Sequence, residues 1–451
     1  MVATRPIRPV RVSKEQLLAA LQRVHQSDDT AIGQVLEDLP PEILATQLAE
    51  KPDLLAVEGD APMIQLVNAL IVQALRHRAS DIHIEPFEET IIVRFRIDGM
   101  LREVLRPPKP VQAPFMSRIK VMAGLNIAER RLPQDGALRV LVANQEVDVR
   151  VSVLPSHFGE RLVLRLLEKQ KEKTELTELG LTREQLAWMH TRSTASHGIL
   201  LVTGPTGSGK STTLYALLSS INTAEKNIIT IEDPIEYSLP GVGQIQVAPK
   251  IGLTFAAGLR SILRQDPDVI MVGEIRDLET AEIAIQASLT GHLVFSTLHT
   301  NDSVGAVMRL VNMGIEPFLV SSSIDGVVAQ RLVRTLCDRC KEPFTPAPEL
   351  LQKAGETHPL ANAATCFRPV GCQVCMGSGY LGRTAVFELL TMSPAIRSLI
   401  DRRASDQDLR QVAHAQGLIP LRQAALLQAA RGVTSLEEVF RVTQRREEGS
   451  P

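Results

Sequence analysis

A glycine-rich segment carries the clearest chemical signal in the sequence, and it reads Gly204-Pro205-Thr206-Gly207-Ser208-Gly209-Lys210-Ser211-Thr212. It follows the apolar stretch Ile199 to Thr203 and precedes a helical pattern, which is the context that a phosphate-binding loop requires. Glycines let backbone N–H groups turn toward phosphate oxygens, and the helix N-terminus adds partial positive charge. We predict that this segment binds ATP, with Lys210 on the β- and γ-phosphates and Ser211 helping to hold Mg²⁺. The alternative is a chance glycine-rich turn.

Acidic residues follow two other apolar stretches. The stretch Val269 to Gly273 is followed by Glu274, where a phosphate-loop ATPase places the carboxylate that orients the attacking water or holds the metal. In a second cluster, Glu232 and Glu236 are the predicted metal-facing members, with Asp233 between them. An ordinary solvated charge at a strand end is the alternative for each.

Two histidines bracket an apolar strand further along the chain. His292 precedes this strand and His299 follows it, with Thr297 as a weaker candidate inside it. We predict that both histidines sense the γ-phosphate or a neighbouring site. A structural histidine is the alternative at either position.

Four of the five cysteines form two C-x-x-C pairs, Cys337/Cys340 and Cys372/Cys375, while Cys366 has no partner. In a reducing cytosol this pattern indicates metal ligands before disulfides. Two thiolate pairs at this spacing suit tetrahedral Zn²⁺, so we predict a structural zinc site. Four buried or redox-active thiols are the alternative.

The surrounding elements predict several domains, because 451 residues are too many for one core. From Gly198 onward, short apolar strands alternate with helices, which predicts an α/β domain with a parallel sheet covered on both faces. Upstream, helices mix with alternating strands. The predicted divisions are a helical region 1–58, an α+β domain 59–168, a linker 169–185 and an ATPase domain 186–451, the last with a zinc-binding part 336–380 and a helical part 381–451.

The composition limits the classes of partner. The chain has 44% hydrophobic and 22% charged residues and a formal net charge of -2, which supplies no general field for nucleic acid. No apolar run approaches the roughly 18 to 20 residues of a membrane span. We expect a cytoplasmic protein that reaches a membrane only through partners.

Taken together, the motifs resemble those of the secretion ATPase superfamily. Gly204–Thr212, Thr230–Tyr237, Val269–Asp277 and Gly291–Asn301 look like its Walker A motif, Asp box, Walker B motif and His box. Upstream, residues 79–86 (ASDIHIEP) and 93–99 (VRFRIDG) resemble its N-terminal domain, and residues 101–108 (LREVLRPP) resemble the type II secretion ATPases (the GspE family) in particular. The resemblance implies a RecA-like ATPase domain preceded by a PAS-like α+β domain. It also agrees with zinc, since the type II secretion and pilus extension ATPases commonly carry the tetracysteine element.

The resemblance also implies roles for four arginines. Arg150 and Arg165 match arginines that reach the nucleotide from the N-terminal domain, and Arg260 and Arg264 match two others near the active site or subunit interface. An arginine that completes a phosphoryl-transfer site adds about 10³ to 10⁵ in rate. A surface salt bridge worth roughly 0 to 1 kcal/mol is the alternative for each.

The family's biology supplies the remaining expectations. It implies a homohexamer that works peripherally at the inner membrane on platform proteins of the GspL and GspF types, with the N-terminal helical region as the contact. The load would be a pseudopilus that drives protein export. The nearest rival is a type IV pilus assembly ATPase. A RecA-like nucleic-acid translocase and a non-hydrolysing ATP-binding scaffold are rivals from other classes.

Overall fold

A computed structural model describes residues 62–142, 145–168, 174–354 and 366–443. The chain divides into two compact units, with the division between Gln170 and Lys171. The predicted helical region 1–58 lies outside the described residues. Among the helices of the described ranges, none is long and apolar enough to cross a bilayer.

The first unit is an antiparallel sheet with helices on one face. Its strands run in the order β3-β2-β1-β6-β5-β4. The elements are α1 (Pro62–Arg76), β1 (Asp81–Pro86), β2 (Ile91–Ile97), β3 (Met100–Leu105), α2 (Gln112–Met122), β4 (Gln134–Val142), β5 (Gln145–Ser156) and β6 (Gly159–Glu168).

Alternation along the strands decides which face of this sheet is covered. Ile82 and Ile84 of β1 pack with Leu66 and Leu70 of α1 and with Phe115 of α2 in one apolar core. Residues between the core positions therefore lie on the opposite face. The predicted α+β character of this region is confirmed.

The turn between β2 and β3 is a two-residue β-hairpin. Asp98 has φ 49° and Gly99 has φ 82°, so both central residues are left-handed. This is the pattern of a type I′ turn, whose twist matches that of the flanking strands.

The second unit is built on a seven-stranded sheet in the order β15-β12-β7-β11-β10-β8-β9. All neighbouring pairs are parallel except β12 with β15. Its strands are β7 (Gly198–Thr203), β8 (Ile228–Glu232), β9 (Gly243–Gln246), β10 (Val269–Val272), β11 (Leu293–Leu298), β12 (Ile324–Leu336), β13 (Glu342–Phe344), β14 (Cys366–Arg368) and β15 (Tyr380–Thr391), where β13 and β14 form a separate pair. Its helices are α3 (Arg183–Ser193), α4 (Lys210–Ile221), α5 (Phe255–Ile262), α6 (Leu278–Leu289), α7 (Ser303–Asn312), α8 (Pro317–Ser323), α9 (Pro348–Ala354), α10 (Pro394–Asp401), α11 (Asp406–Ala415), α12 (Leu421–Ala430) and α13 (Leu436–Thr443).

Two cores cover the faces of this sheet. Leu200 and Val202 of β7 pack with Leu214 of α4 on one face. Ile199 and Leu201, which alternate with them, belong to the core formed with α5, α6 and α7 on the other face. A strand buried on both sides is continuously apolar for this reason, and the predicted α/β class is confirmed.

Two predicted boundaries need correction. The predicted linker 169–185 contains Leu176 and Leu179, which are buried in a core of the second unit, so this part of it packs with that unit. The part 381–451 is not wholly helical, because its first residues, up to Thr391, belong to strand β15 at the edge of the main sheet.

Strand β12 is unusually long at 13 residues. Its first half pairs with β7, up to the pair of Ala329 with Thr203, and it continues beside β15 to Leu336. Cys337 follows at once. One strand therefore connects the end of β7 with the first cysteine pair.

Candidate active site

The glycine-rich segment is the loop between β7 and α4. Gly209 precedes the helix with φ 88°, and Gly204 opens the loop with φ 150°. A Cβ atom on Gly204 would lie 2.5 Å from the backbone oxygen of Gln330, and one on Gly209 would lie 2.8 Å from the Gln330 side-chain nitrogen. Close contact with the β12 backbone therefore requires glycine at position 204, while the left-handed φ favours glycine at position 209.

Lys210 is the first residue of α4 and is nine-tenths buried. Its Nζ donates to the carbonyl oxygens of Gly204 at 2.9 Å and Pro205 at 3.1 Å. Burial lowers the pKa of Lys210, the negative charge of Glu274 raises it, and the positive charge of Arg331 lowers it. A buried ammonium held by neutral carbonyls is well suited to a phosphate group. Ser211, the predicted magnesium ligand, is exposed on the first turn of α4.

Glu274 lies two residues beyond β10, at the same edge of the sheet as the phosphate loop. It is ion-paired with Arg276 and lies 3.5 Å from Nε2 of His299. The second guanidinium nitrogen of Arg276 is 3.8 Å from Asp233. The carboxyl edge of a parallel sheet collects ligand-binding groups in this way.

His299 lies close to this carboxylate, and Thr297 contacts the backbone just before it. Burial lowers the pKa of His299, and the positive charge of Lys210 lowers it further. Thr297 donates to the carbonyl oxygen of Gly273 at 2.7 Å, which fixes the chain just before Glu274. The structure thus brings His299 to the predicted site.

His292 lies at the opposite edge of the sheet. It precedes β11, and its carbonyl oxygen accepts a hydrogen bond from Gly198 at the start of β7. Its Nδ1 lies 2.9 Å from the carbonyl oxygen of Ala287. The length of β11 therefore separates His292 from the phosphate loop of its own chain, and of its two predicted roles only the one at a neighbouring site remains.

The second acidic cluster divides in the structure. Glu232 is buried and accepts hydrogen bonds from the Tyr215 hydroxyl, from Thr230 at 2.5 Å and from Gln244 at 3.1 Å. Glu236 is exposed. Asp233 is the member of the cluster that is ion-paired with Arg276 beside Glu274, so metal contact by Glu232 and Glu236 stays a prediction.

The four predicted zinc ligands lie together. Their sulfur atoms all lie within 4.8 Å of one another. The distance is 3.9 Å from Cys337 to Cys372, 3.8 Å from Cys340 to Cys375 and 3.7 Å from Cys372 to Cys375. Tetrahedral Zn–S bonds of about 2.3 Å place sulfur atoms about 3.8 Å apart. The donor set and its spacing fit zinc.

Backbone N–H groups point at these sulfur atoms. Gly371 donates to Cys340 at 3.3 Å, while Cys372 and Gly379 donate to Cys375 at 3.1 and 3.2 Å. Burial raises the pKa of the Cys375 thiol, but the two N–H groups help to lower it to about 6 overall. Such contacts favour the thiolate form that binds metal.

With this geometry in view, the comparisons decide the family. The sequence matches the family described as Type II/IV secretion system protein over residues 56–441. The type II secretion system protein E of Dickeya dadantii is 51% identical over 447 residues, covering 98% of this chain and 89% of that protein. The type II secretion system ATPase E of Vibrio cholerae is 50% identical over 443 residues, with coverage of 96% and 87%. The chain belongs to the Type II/IV secretion system protein family.

Solved structures agree with this assignment. The crystal structure of the pilus retraction motor PilT with bound ADP is 27% identical, with a TM-score of 0.55, covering 84% of this chain and 97% of that chain. The Legionella pneumophila ATPase DotB, at 20% identity and a TM-score of 0.61 over 88% of this chain and 97% of its own, shares the fold. The predictions of an ATPase and of the type II secretion branch are confirmed.

The arginines that the family resemblance singled out lie on both units. In the first unit, Arg150 of β5 and Arg165 of β6 are directly opposite each other in the strand register. In the second, Arg260 and Arg264 are exposed on and just after α5, where Arg260 pairs with Glu279 at 2.7 Å. Among the described contacts, neither Arg260 nor Arg264 touches the phosphate loop of its own chain.

Sequence reasoning missed three residues of this secretion ATPase. Gln330 packs against the phosphate loop and accepts a hydrogen bond from Thr213 of α4 at 2.8 Å. Arg331, the next residue, donates to Asn301 at 2.9 Å and is close enough to affect Lys210. Only the pairing of β12 with β7 reveals these two, whereas Arg276 could have been found from its place two residues after Glu274.

Proposed function

We propose that this chain is the ATP-hydrolysing motor of a type II secretion system. The observation that carries the proposal is the convergence of Lys210, Glu274 and His299 at the carboxyl edge of the parallel sheet. At that edge Lys210 supplies a cation for the phosphate oxygens, and Glu274 supplies a carboxylate near the same phosphates.

In the proposed reaction a water molecule attacks the γ-phosphorus of ATP. Glu274 orients this water and accepts its proton, while the bond between the γ-phosphorus and the bridging oxygen breaks and ADP leaves. Lys210 and the loop N–H groups stabilise the negative charge on the phosphates. Ser211 would hold Mg²⁺, which supplies further neutralisation of that charge, with Glu232 and Glu236 as the additional acids.

The site is completed, in this proposal, by arginines of the first unit or of a neighbouring chain. Arg150 and Arg165 are the candidates for the nucleotide, with Arg260, Arg264 and His292 at the interface between subunits. This need for groups beyond the ATPase unit is the reason to propose a homohexamer. Zinc would be held by the four-cysteine cluster as a structural ion.

The load of the motor follows from the relatives. Proteins about 50% identical to this chain are named as type II secretion proteins. We therefore propose a cytoplasmic protein, peripheral to the inner membrane, that acts through platform proteins of the GspL and GspF types on pseudopilus assembly. Nucleic acid is not an expected partner.

Glu274→Gln tests the chemistry directly. The variant should bind ATP as the wild type does, but hydrolyse it about 10² to 10⁴ times more slowly, because the general base is lost. Glu282→Gln, an exposed acid on α6, is the control and should keep the wild-type rate. Hydrolysis by Glu274→Gln at the wild-type rate would refute this assignment.

Assembly and load need two further measurements. The ATPase rate per chain should rise with protein concentration if neighbouring chains complete the site, and a rate independent of concentration argues for a self-sufficient monomer. Lys210→Ala should abolish both hydrolysis and export. Continued export by that variant would favour a non-hydrolysing scaffold.

A further inference from the structure

A row of charged side chains crosses the face of the first unit's sheet that lies opposite its helices. Asp81, His83 and Glu85 alternate with the core residues of β1 and so belong to this face. They are nevertheless only 4%, 8% and 4% exposed. The residues that lie against them are arginines from the two flanking strands, Arg94 and Arg96 of β2 and Arg161 and Arg165 of β6.

The two carboxylates of this row hold different arginines. Nε of Arg165 donates to Oδ1 of Asp81 at 2.9 Å, and Ser80 donates to the other oxygen at 2.7 Å. Glu85, four residues further along β1, is ion-paired with Arg94 and Arg161.

The pair of Asp81 and Arg165 is asymmetric. The Asp81 side chain is 6% exposed, whereas that of Arg165 is 64% exposed. Burial raises the pKa of Asp81, but the hydrogen bond from Arg165 and that from Ser80 help to lower it overall, so the carboxylate is charged at neutral pH. A buried, charged acceptor thus holds a mostly exposed guanidinium.

Such a contact restricts the arginine without using up its donors. A free arginine side chain has about 2 kcal/mol of rotamer entropy to lose on binding. A bond through Nε uses one of its five N–H groups and leaves a planar fork that can meet phosphate oxygens. Arg150 stands directly opposite Arg165 in the strand register, so a second guanidinium is carried at the same place on the sheet.

We propose that Asp81 is the positioning residue for Arg165, fixing its guanidinium so that the terminal nitrogens meet the phosphate groups of ATP. This inference rests on the proposed function, which assigns Arg165 to the nucleotide. His83 lies between the two carboxylates, but neither of its ring nitrogens has a hydrogen-bond partner in the part of the chain that the structure describes. Asp81 is the group that holds Arg165.

The test compares Asp81→Ala with Glu85→Ala. Both changes remove a buried carboxylate from the same strand and both release arginines, so their effects on the thermal unfolding midpoint should be similar. Only Asp81→Ala should lower kcat, by about 10²-fold, with little change in KM, because misplacing a catalytic group by about 1 Å costs about that much. Glu85→Ala should keep kcat within about threefold of wild type.

Three further variants separate this inference from the proposed function. Arg165→Ala should lower kcat by about 10³-fold or more. In the double variant, loss of Asp81 should add nothing to the loss of Arg165, because a positioning residue acts only through its partner. Asp81→Asn, which keeps an acceptor oxygen, should fall between wild type and Asp81→Ala, and it carries the test if the alanine variant does not fold.

The outcomes are distinct. If Arg165→Ala keeps the wild-type kcat, the assignment of Arg165 to the nucleotide is wrong, and the positioning role is wrong with it. If Arg165→Ala loses activity while both Asp81 variants keep it, only the positioning role is overturned. An equal loss of kcat in Asp81→Ala and Glu85→Ala would overturn it as well, since the effect would then be structural.

Discussion

Replacing Tyr215 by phenylalanine removes one oxygen atom from the interior of the second unit. Tyr215 is 1% exposed and donates its hydroxyl hydrogen to the buried Glu232 carboxylate. Thr230 and Gln244 donate to the other carboxylate oxygen. In the variant, the oxygen that faced Tyr215 loses this donor while it remains buried.

The expected cost follows from the charge of the acceptor. A hydrogen bond to a charged group contributes about 1.5 to 3 kcal/mol to the free energy of unfolding. For a domain of this size, each kcal/mol shifts the unfolding midpoint by about 2 to 4 °C. Tyr215→Phe should therefore lower the midpoint by roughly 3 to 12 °C.

Tyr237→Phe is the matched control. The Tyr237 ring packs edge-on against that of Tyr215 with centroids 4.6 Å apart, so the same atom is removed from a neighbouring ring. Among the described residues, its hydroxyl donates no hydrogen bond to Glu232. Scanning calorimetry should show a midpoint within about 2 °C of wild type for Tyr237→Phe. Equal shifts in the two variants would refute the claim that Glu232 is held by the Tyr215 hydroxyl.

Three further predictions concern the loop, the cysteines and pH. Gly204→Ala should abolish ATP binding in a fluorescent-nucleotide titration, because the new Cβ atom would lie 2.5 Å from a backbone oxygen. The control is Gly207→Ala, where a Cβ atom meets nothing within 4 Å, and this variant should bind ATP more tightly than Gly204→Ala. Tighter ATP binding by Gly204→Ala than by Gly207→Ala would contradict the packing argument. Cys337→Ser should lose the bound zinc measured by elemental analysis, whereas the equally buried Cys366→Ser should keep one ion per chain, and equal zinc contents would contradict the assignment of the cluster. Burial and the charge of Arg96 lower the pKa of His83, so its contribution to stability is present above about pH 6.5 and is lost as the pH falls below that value. Denaturant unfolding of His83→Gln should show a weaker loss between about pH 6.5 and 5, and an identical pH dependence would refute this role.

Local signals in the sequence were enough to predict the parts of the site that are formed by continuous segments of the chain. The phosphate loop follows an apolar strand and precedes a helix, and Glu274 follows another apolar strand, as the patterns predict. These elements are set by glycine conformations, by helix and strand periodicity and by nearby turns. Each of these is a property of a short window of residues.

Contacts between distant strands could not be predicted in this way. Gln330 reaches the phosphate loop only because β12 is the neighbour of β7, and no spacing rule connects the two segments. The orientation of Glu232 was hidden for a related reason. Its partner Tyr215 lies on α4, and the contact depends on how that helix packs on the sheet.

The length of β12 has a mechanical consequence. From Gln330, beside the phosphate loop, to Cys337, at the start of the four-cysteine cluster, the chain runs for seven residues of nearly continuous strand. At about 3.3 Å per residue this is a rod of roughly 23 Å. If this segment of β12 tilts by about 5° about its end at the loop, the cluster moves by roughly 2 Å, because an extended strand changes its length little. The cysteine cluster thus lies at the far end of a lever whose pivot is the nucleotide site.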